Sequence, residues 1–417
     1  MIAKDPRNWP RYFASGVMAL SLPFCLHAGV VAAEESDAGL FDQWDVEHYG
    51  SLEATVDYFP RDAAYDQQDD VMATVEANPV MIITGDQSEI VLEPRLVAPK
   101  HGHAFVDLKE GFVTTSLGEM DLLVGATTEF WGKNEAANLV DIINTKDYTM
   151  GLQSGEKQGM PMVKLGQALG PGYLDLYVMP IFIENRYAGA QSRLRPNMAY
   201  RPGVSRYQAG VDRQDTSTAI RYSGYYGDLD YGISAFQGIT RDPGAVIDGG
   251  NLLPLYHDIT QYGVDLQWTT GETIYKTELI QRGDQLNQSG IEDDYTAGIA
   301  GLEHTLYGIM DSQGDLALFA EYAHDSRGDD AASGLQNDLF MGGILSMNDV
   351  DDTQYRVIIG YDLDEASRSV TAEYSRRVTT GVTLEASFYH PDQMSKDTHF
   401  YSFDRDTRLH TAIKYSW

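Results

Sequence analysis

The sequence contains one cysteine among its 417 residues, Cys25, and this residue lies in an N-terminal stretch of unusual composition. Three basic residues begin the stretch: Lys4, Arg7 and Arg11. A mostly apolar run from Tyr12 to Val31 follows, and small residues end it at Ala33. These features predict a secretory signal peptide over 1–33, cleaved after Ala33. The exported chain then has no disulfides and must be stabilised by burial or by backbone pairing.

Long hydrophobic runs are also absent. No stretch after residue 33 contains the roughly 18 to 20 consecutive apolar residues that a membrane-spanning helix requires, and the mean hydropathy is −0.32. At the same time, 43% hydrophobic residues, 26 Tyr and 40 Gly are too many for a disordered acidic protein. The composition therefore excludes both a helical membrane protein and an unfolded chain.

Basic residues are scarce, with 30 Lys plus Arg against 62 Asp plus Glu and a net charge of −32. Removal of residues 1–33 takes away three basic residues and Asp5, which leaves −34. This charge argues against a nucleic acid as a partner, because phosphate backbones are bound through basic surfaces.

What recurs along the chain is an alternation of apolar and polar residues. In 382–389 the apolar residues Val382, Leu384, Ala386 and Phe388 alternate with Thr383, Glu385 and Ser387. The same pattern occurs over 52–58, 262–268 and 355–361. A period of two is typical of a β-strand with one apolar face. Alternation alone does not separate a soluble sandwich from a membrane barrel.

The lengths of the connections separate these two architectures. We predict 18 strands, an even number, at 51–59, 71–84, 89–98, 103–116, 119–130, 161–168, 172–184, 216–227, 228–240, 260–270, 273–284, 294–309, 314–325, 338–348, 354–364, 367–378, 382–391 and 406–417. Tight turns such as Gly170-Pro171 and Gly227-Asp228 alternate with long polar loops such as 131–160 and 185–215. This alternation, with both ends of the barrel segment on the short-turn side, is typical of an outer-membrane β-barrel.

The predicted fold is therefore an all-β, transmembrane, antiparallel up-and-down β-barrel of about 18 strands in the outer membrane of a Gram-negative bacterium. Three prolines, Pro79, Pro94 and Pro180, weaken individual strands and leave 14 or 16 strands open. We expect a periplasmic N-terminal segment over 34–50 and the barrel over 51–417.

The last strand carries an assembly feature. Leu409, Ile413, Tyr415 and Trp417 share one register, and Arg408, His410 and Lys414 share the other. A final strand that ends in an aromatic residue resembles the signal that bacterial barrel-assembly machinery reads. Tyr415 and Trp417 are therefore the expected assembly residues, with that machinery as a partner.

The third long loop, 131–160, holds charged residues around the apolar residues Leu139, Val140, Ile142 and Ile143. The charged candidates are Lys133, Glu135, Asp141, Lys146 and Asp147. A partly apolar loop of this length, with a short helix expected near 136–143, is not expected to extend into water. Two interpretations stay open: the loop folds into the barrel and narrows it, or it packs over its neighbours at the rim.

The fourth long loop, 185–215, is locally basic. Between Arg186 and Gly210 there is no Asp or Glu, and the stretch contains Arg186, Arg193, Arg195, Arg201 and Arg206. Three interpretations compete. The arginines pair with acidic residues and pin the loop, they form a constriction that selects anions, or they contact lipopolysaccharide phosphates.

Metal and catalytic sites have little support in the sequence. Acidic loops around Asp69, Asp329 and Asp351 offer carboxylates for Ca²⁺, but no EF-hand loop is present. His101 and His103 lack a third ligand at a suitable spacing. There is no Gly-x-Ser-x-Gly motif. We expect no enzymatic activity, no metal site and no cofactor.

The segment 119–196 shows a resemblance to a known family. The residues that carry it are Phe130-Trp131-Gly132, Leu139-Val140-Asp141-Ile142-Ile143-Asn144, Gly159-Met160-Pro161-Met162, Leu174-Asp175-Leu176 and Arg193-Leu194-Arg195-Pro196. They resemble uncharacterised proteobacterial outer-membrane proteins with porin-like barrels. The resemblance implies location and fold, and it directs attention to the third and fourth loops.

Together these patterns predict an outer-membrane channel for passive diffusion of small polar or anionic solutes, narrowed by loops 131–160 and 185–215. The alternative is a closed barrel, plugged by the same loops, with a structural, assembly or partner-docking role. The expected partners are outer-membrane lipid, lipopolysaccharide and small solutes.

Overall fold

The computed structural model describes residues 44–150, 155–333, 335–394 and 403–417. The predicted signal peptide lies outside the described residues, and so does most of the predicted segment 34–50. The described strands are β1 Asp45–Tyr58, β2 Val71–Thr84, β3 Ser88–Pro99, β4 Phe105–Leu117, β5 Met120–Thr127, β6 Lys146–Tyr148, β7 Glu156–Lys157, β8 Met160–Leu169, β9 Gly172–Met179, β10 Arg186–Tyr187, β11 Arg206–Tyr207, β12 Ser217–Tyr226, β13 Leu229–Ile239, β14 Gly244–Asp248, β15 Asn251–Tyr256, β16 Asp258–Thr270, β17 Thr273–Leu286, β18 Glu292–Leu306, β19 Asp315–Asp325, β20 Asn337–Ser346, β21 Gln354–Asp362, β22 Arg368–Thr379, β23 Val382–Asp392 and β24 Arg408–Ser416. Short 3₁₀ turns lie at Ile309–Asp311 and Gly328–Asp330.

Eighteen of these strands form one closed antiparallel sheet. Each pairs with its neighbour along the chain, and β1 pairs with β24 to close the barrel, with Ser51 opposite Ser416. The six short strands β6, β7, β10, β11, β14 and β15 belong to loops and form two small sheets of three strands each. The predicted 18-stranded all-β barrel is confirmed.

Short and long connections alternate around the barrel. One end has turns, the shortest of which are two residues long with glycine in the left-handed region, as at Gly227 (φ 61°) and Gly271 (φ 56°). The other end has nine loops: L1 (59–70), L2 (100–104), L3 (128–159), L4 (180–216), L5 (240–257), L6 (287–291), L7 (326–336), L8 (363–367) and L9 (393–407). We call these the turn side and the loop side.

The outer face of the barrel is apolar. Ile233, Leu279 and Val357 project outward and are 54%, 51% and 43% exposed. Aromatic side chains gather near the turn side, where Trp268 and Tyr275 stack with ring centroids 5.5 Å apart and Tyr415 lies 6.0 Å from Trp417. An apolar band bordered by aromatic residues suits a lipid bilayer. None of the described helical segments is both long enough and apolar enough to cross a bilayer.

The three prolines are accommodated without loss of a strand. In the pairing of β2 with β3, Ala77 lies opposite Leu96 and Met81 lies opposite Leu92, and the residues between these two pairs are not paired. Pro79 and Pro94 both lie in this unpaired stretch. A register shift at Pro94 adjusts the β3–β4 pairing. Pro180 follows the end of β9, which therefore stops at Met179 instead of continuing to 184 as predicted. At the other end, β1 begins at Asp45 and not at the predicted residue 51.

Candidate functional site: the lumen and loop L3

L3 lies inside the barrel. Its side chains Val140, Ile142 and Ile143 are at most 1% exposed. They belong to one apolar cluster with residues of the barrel wall, including Met160, Tyr177, Phe236, Ile259 and Ile280. These wall residues come from β8, β9, β13, β16 and β17. Hydrophobic burial therefore holds L3 against one side of the lumen.

Two wall carboxylates fix the start of L3. Glu278 on β17 accepts hydrogen bonds from the backbone N–H groups of Lys133 (2.7 Å), Asn134 (3.3 Å) and Val140 (3.2 Å). Glu321 on β19 accepts from the N–H groups of Glu135 (2.7 Å) and Ala136 (2.8 Å). Hydrogen bonds to a charged acceptor are stronger than those between neutral groups. The sequence offered no direct indication of these two anchors.

The short helix expected near 136–143 is not present; this segment consists of turns and irregular backbone. The physical reason lies in Glu278, which accepts a hydrogen bond from the Val140 N–H. A helix over this segment would instead bond that N–H to the carbonyl of Ala136, four residues earlier.

The Glu135 side chain bridges two wall strands. It lies 3.0 Å from the Lys276 ammonium on β17 and 3.4 Å from the Arg356 guanidinium on β21. Lys276 also pairs with Glu303 at 2.8 Å, and Arg356 with Glu373 at 3.7 Å. The tip of L3 thus reaches across the lumen and is held there by charge.

The far end of L3 joins a second charged group. Asp147 accepts from Arg95 and Arg186, each at 3.0 Å, and Asp107 pairs with Arg186 at 2.6 Å. Burial opposes ionisation of Asp147, but the two guanidinium groups hold the pKa of this carboxyl below its usual value. Asp147 is therefore an anion that links β3, L3 and L4.

A cavity of about 1240 Å³ lies in the lumen beside L3. Of the predicted L3 candidates, Glu135, Asp141, Lys146 and Asp147 line it. Lys133 is not among its lining residues, although the Lys133 backbone is bound to Glu278. The opposite wall comes from β1–β4 and β20–β24, with side chains such as Glu76, Arg95 and Arg408. The open part of the lumen is therefore eccentric and polar.

The five candidate arginines of 186–210 are not among the described residues that line this cavity. Arg193 is fully buried at the loop side, where its guanidinium pairs with Asp406 of L9 at 2.9 Å and with Asp70 of L1. It also donates to the carbonyls of Arg61 and Arg405. Arg193 therefore joins three loops.

The other four arginines of this stretch also have partners, three of them within the loops and Arg186 partly on the barrel strand β4. Arg195 donates to the carbonyls of Ala190, Pro196, Asn197 and Asp66. Arg201 and Arg206 lie 3.3 and 3.6 Å from Asp248 of L5, and Arg186 joins the Asp107–Asp147 group. The geometry matches the interpretation in which these arginines pin the loop, because each has carboxylate or carbonyl acceptors in the folded chain. A role for them in a constriction stays a prediction.

L4 also rests on L3 through stacked tyrosines. Tyr187 lies between Tyr148 of L3 and Tyr200 of L4, with ring centroids 5.7 and 4.0 Å away. In L4, Phe182 packs edge-on against Tyr256 of L5 at 4.9 Å. L3, L4 and L5 therefore form one packed body on the filled side of the barrel.

Within the described residues, no group of three or more His, Asp or Glu side chains is placed to hold a metal ion. The Asp69 carboxylate is bound instead by Lys100 at 2.7 Å and by His101 at 2.9 Å. The arrangement offers charge and shape for passing or binding a solute.

No protein-family model and no curated protein sequence matches the chain. Among solved structures, the chain is similar to Wzi, described as an outer-membrane protein involved in group 1 capsule assembly in Escherichia coli and as a carbohydrate-binding β-barrel. The identity is 11%, the TM-score 0.50, and the match covers 87% of this chain and 83% of that chain.

Two further similarities are weaker. A mutant form of Rh. blastica porin is 12% identical with a TM-score of 0.43, over 89% of this chain and 100% of that chain. A loop L8 deletion mutant of OmpT, an outer-membrane protein of Vibrio cholerae, is 11% identical with a TM-score of 0.40, over 90% and 100%. At these identities a similarity shows the fold alone. The fold and the lumen define a β-barrel of the outer-membrane type with one side filled by an inward loop.

Proposed function

We propose that the protein is a porin-like channel in the outer membrane of a Gram-negative bacterium, through which small polar solutes pass by diffusion. The observation that supports this function is the height of the cavity. On β21, which begins at Gln354, its lining extends from Arg356 through Asp362 to Glu365 in L8. On β24 it extends from Lys414, near the turn side, to Arg408 at the loop side. A polar space of this height suits a water-filled path.

In this proposal the constriction lies between the tip of L3 and the opposite wall. Glu135, Asp141, Lys146 and Asp147 form its L3 side. Arg95 and Arg356 form part of its wall side, and both are paired with L3 carboxylates. The pore size is then set by the position of L3, which Glu278 and Glu321 fix.

Export and assembly belong to the same proposal. Cleavage of 1–33 delivers the chain to the periplasm, and the outward-facing Tyr415 and Trp417 at the turn side are recognised by the barrel-assembly machinery. Outer-membrane lipid and lipopolysaccharide then contact the finished barrel.

Planar lipid bilayers test the channel function. We expect the purified, heat-modifiable protein to produce stepwise conductance that scales with salt concentration, and liposomes containing it to swell in small sugars faster than empty liposomes. A folded protein that gives neither conductance nor swelling at any salt concentration would contradict the proposal.

A closed barrel is the second candidate, and the packed body of L3, L4 and L5 favours it. The apolar cluster around Val140 and Ile143 seals one side of the lumen. If the native protein is silent in bilayers while the variant E278Q/E321Q conducts, the closed barrel with a structural or docking role replaces the open channel.

A further inference from the structure

The charge of the cavity wall is asymmetric, and it bears on which solutes the proposed channel accepts. Thirteen acidic residues line the cavity: Glu53, Glu76, Glu135, Asp141, Asp147, Glu156, Asp242, Asp325, Asp329, Asp338, Asp362, Glu365 and Glu373. Nine basic residues line it: Arg95, Lys109, Lys146, Arg282, Arg327, Arg356, Arg368, Arg408 and Lys414. The candidate arginines of 186–210 do not line this cavity, so the acidic residues of the wall outnumber the basic ones.

Most of the wall cations already have a carboxylate partner. Arg95 lies 2.9 Å from Glu76, Lys109 lies 2.9 Å from Glu156, and Arg282 lies 2.9 Å from Asp242. Further pairs join Arg327 to Asp325 at 2.6 Å, Lys414 to Glu53 at 3.3 Å, Arg356 to Glu135 at 3.4 Å and, more loosely, Arg408 to Asp57 at 3.8 Å. A guanidinium or ammonium neutralised in this way attracts a passing anion weakly.

Four wall carboxylates have no described Lys or Arg within 4 Å: Asp329, Asp338, Asp362 and Glu365. They all lie at the loop side, where β20 begins, β21 ends, and L7 and L8 start. Two wall cations, Lys146 and Arg368, likewise have no described carboxylate within 4 Å. Arg368 lies at the same side, at the start of β22. Among the described lining residues of this mouth, the carboxylates without a basic partner therefore outnumber the cations without an acidic one.

Asp338 and Asp362 show this excess most clearly. They are direct cross-strand partners on β20 and β21 and are 6% and 7% exposed. Asp338 accepts from the Asn337 N–H at 3.2 Å. Asp362 accepts from the Gln336 amide at 3.3 Å and from the Asp364 and Glu365 N–H groups at 2.9 Å each, and none of these donors is charged. Like charges placed directly opposite each other destabilise a sheet. A mobile cation between them relieves that repulsion.

We infer that the channel prefers small cations, inorganic or ammonium-bearing, and that Asp338 and Asp362 determine this preference at the loop-side mouth. The inference rests on the proposed channel function and names its solute class. Uncompensated carboxylates in a narrow, low-dielectric opening raise the local cation concentration and repel anions. The effect weakens as salt screens it.

The test is the zero-current potential of single channels in a KCl gradient. We expect the native protein to favour K⁺ over Cl⁻. In D338N/D362N the permeability ratio should fall several-fold, on the order of fivefold for one charge at contact distance in water. D311N is the matched control, because Asp311 lies in an exposed turn at the other end of the barrel and its positive φ of 58° is one that Asn tolerates.

A second variant covers the case in which D338N/D362N fails to fold. Q336K adds a cation beside Asp362 on the cavity wall and should also lower the K⁺ preference. Two results overturn the cation preference but not the proposed channel function. One is a native channel that favours Cl⁻, and the other is a K⁺/Cl⁻ permeability ratio that stays unchanged in both variants. A folded protein without conductance overturns the channel function, and the inference with it.

Discussion

The carboxylate of Glu321 on β19 accepts a hydrogen bond from the backbone N–H of Glu135 at 2.7 Å, although 186 residues separate them in sequence. Together with Glu278, this contact positions the tip of L3 in the lumen. A side chain that anchors backbone N–H groups leaves the L3 side chains free to face the cavity. The wall therefore positions the loop, and the loop shapes the pore.

The double variant E278Q/E321Q should loosen L3. A neutral amide accepts weaker hydrogen bonds than a carboxylate, at a cost of roughly 1 kcal/mol for each bond, and five backbone N–H groups are affected. We expect higher single-channel conductance with frequent fluctuations between levels. E303Q is the control, since Glu303 pairs with Lys276 and makes no described bond to the L3 backbone. Native conductance in the double variant would contradict this role for the anchors.

Substitution of Arg193 should release the loop side of the barrel. R193A leaves the Asp406 carboxylate, 1% exposed, without its guanidinium partner, and removal of one member of a buried ion pair costs about 3–5 kcal/mol. We expect trypsin to cut L4 of R193A far faster than L4 of the native protein, while the barrel stays resistant.

R206A is the matched control in the same loop, because Arg206 is 59% exposed and lies 3.6 Å from Asp248. Its cleavage rate should stay near the native rate at the remaining sites. Equal protection of L4 in R193A and the native protein would show that Arg193 does not hold the loops together.

Asp69 provides a prediction about pH. The Lys100 ammonium, the Val71 N–H and His101 lower the pKa of this carboxyl to about 2, from an ordinary value of 3.8. Because the folded pKa is depressed, the stability that Asp69 contributes is present above pH 3.8 and is lost as the pH falls through about 2. A carboxyl titration by NMR in detergent micelles should place its midpoint near 2 in the native protein. In the variant K100M the midpoint should move upward, and an ordinary midpoint in the native protein would refute the ion pair.

The aromatic end of β24 should govern assembly. Trp417 exchanges two backbone hydrogen bonds with Gly50 of β1, at 3.1 and 3.2 Å. A Cβ at Gly50 would lie 2.6 Å from the Trp417 ring. We expect W417A to reduce the heat-modifiable, folded fraction in outer membranes several-fold, and G50A to reduce it through this clash. Leu409, also on the outer face, offers the control L409A. Equal folded fractions for W417A and L409A would argue against a terminal signal.

The barrel could be predicted from the sequence because each strand carries its own evidence. Alternation over 382–389 placed Phe388 outward and Ser387 inward, and the structure agrees, with Ser387 on the cavity wall and Phe388 37% exposed. The boundaries differ by a few residues where proline or turn chemistry intervenes, as at Pro180. Local pattern therefore determined the strand count.

The lumen could not be predicted in the same way. In the sequence, Glu278 and Glu321 look like ordinary inward-facing residues of their strands. No neighbouring residue indicates that they bind L3, because the L3 residues they bind lie 138 to 186 positions away. The arginines of 186–210 stood out by composition, but their partners are carbonyls and carboxylates spread over L4 itself, other loops and the barrel strand β4. Charge composition shows that a loop is basic; only the folded chain shows what the charge contacts.

The pairing of β1 with β24 has a consequence for biogenesis. His410 and Asp57 meet across this seam although they are 353 positions apart in sequence, so the barrel is closed by a contact between its first and last strands. A chain interrupted before β24 presents two unpaired edges to its surroundings. Closure of the barrel therefore requires both of these strands, and the edge of β1 stays unpaired in any form of the molecule that lacks β24.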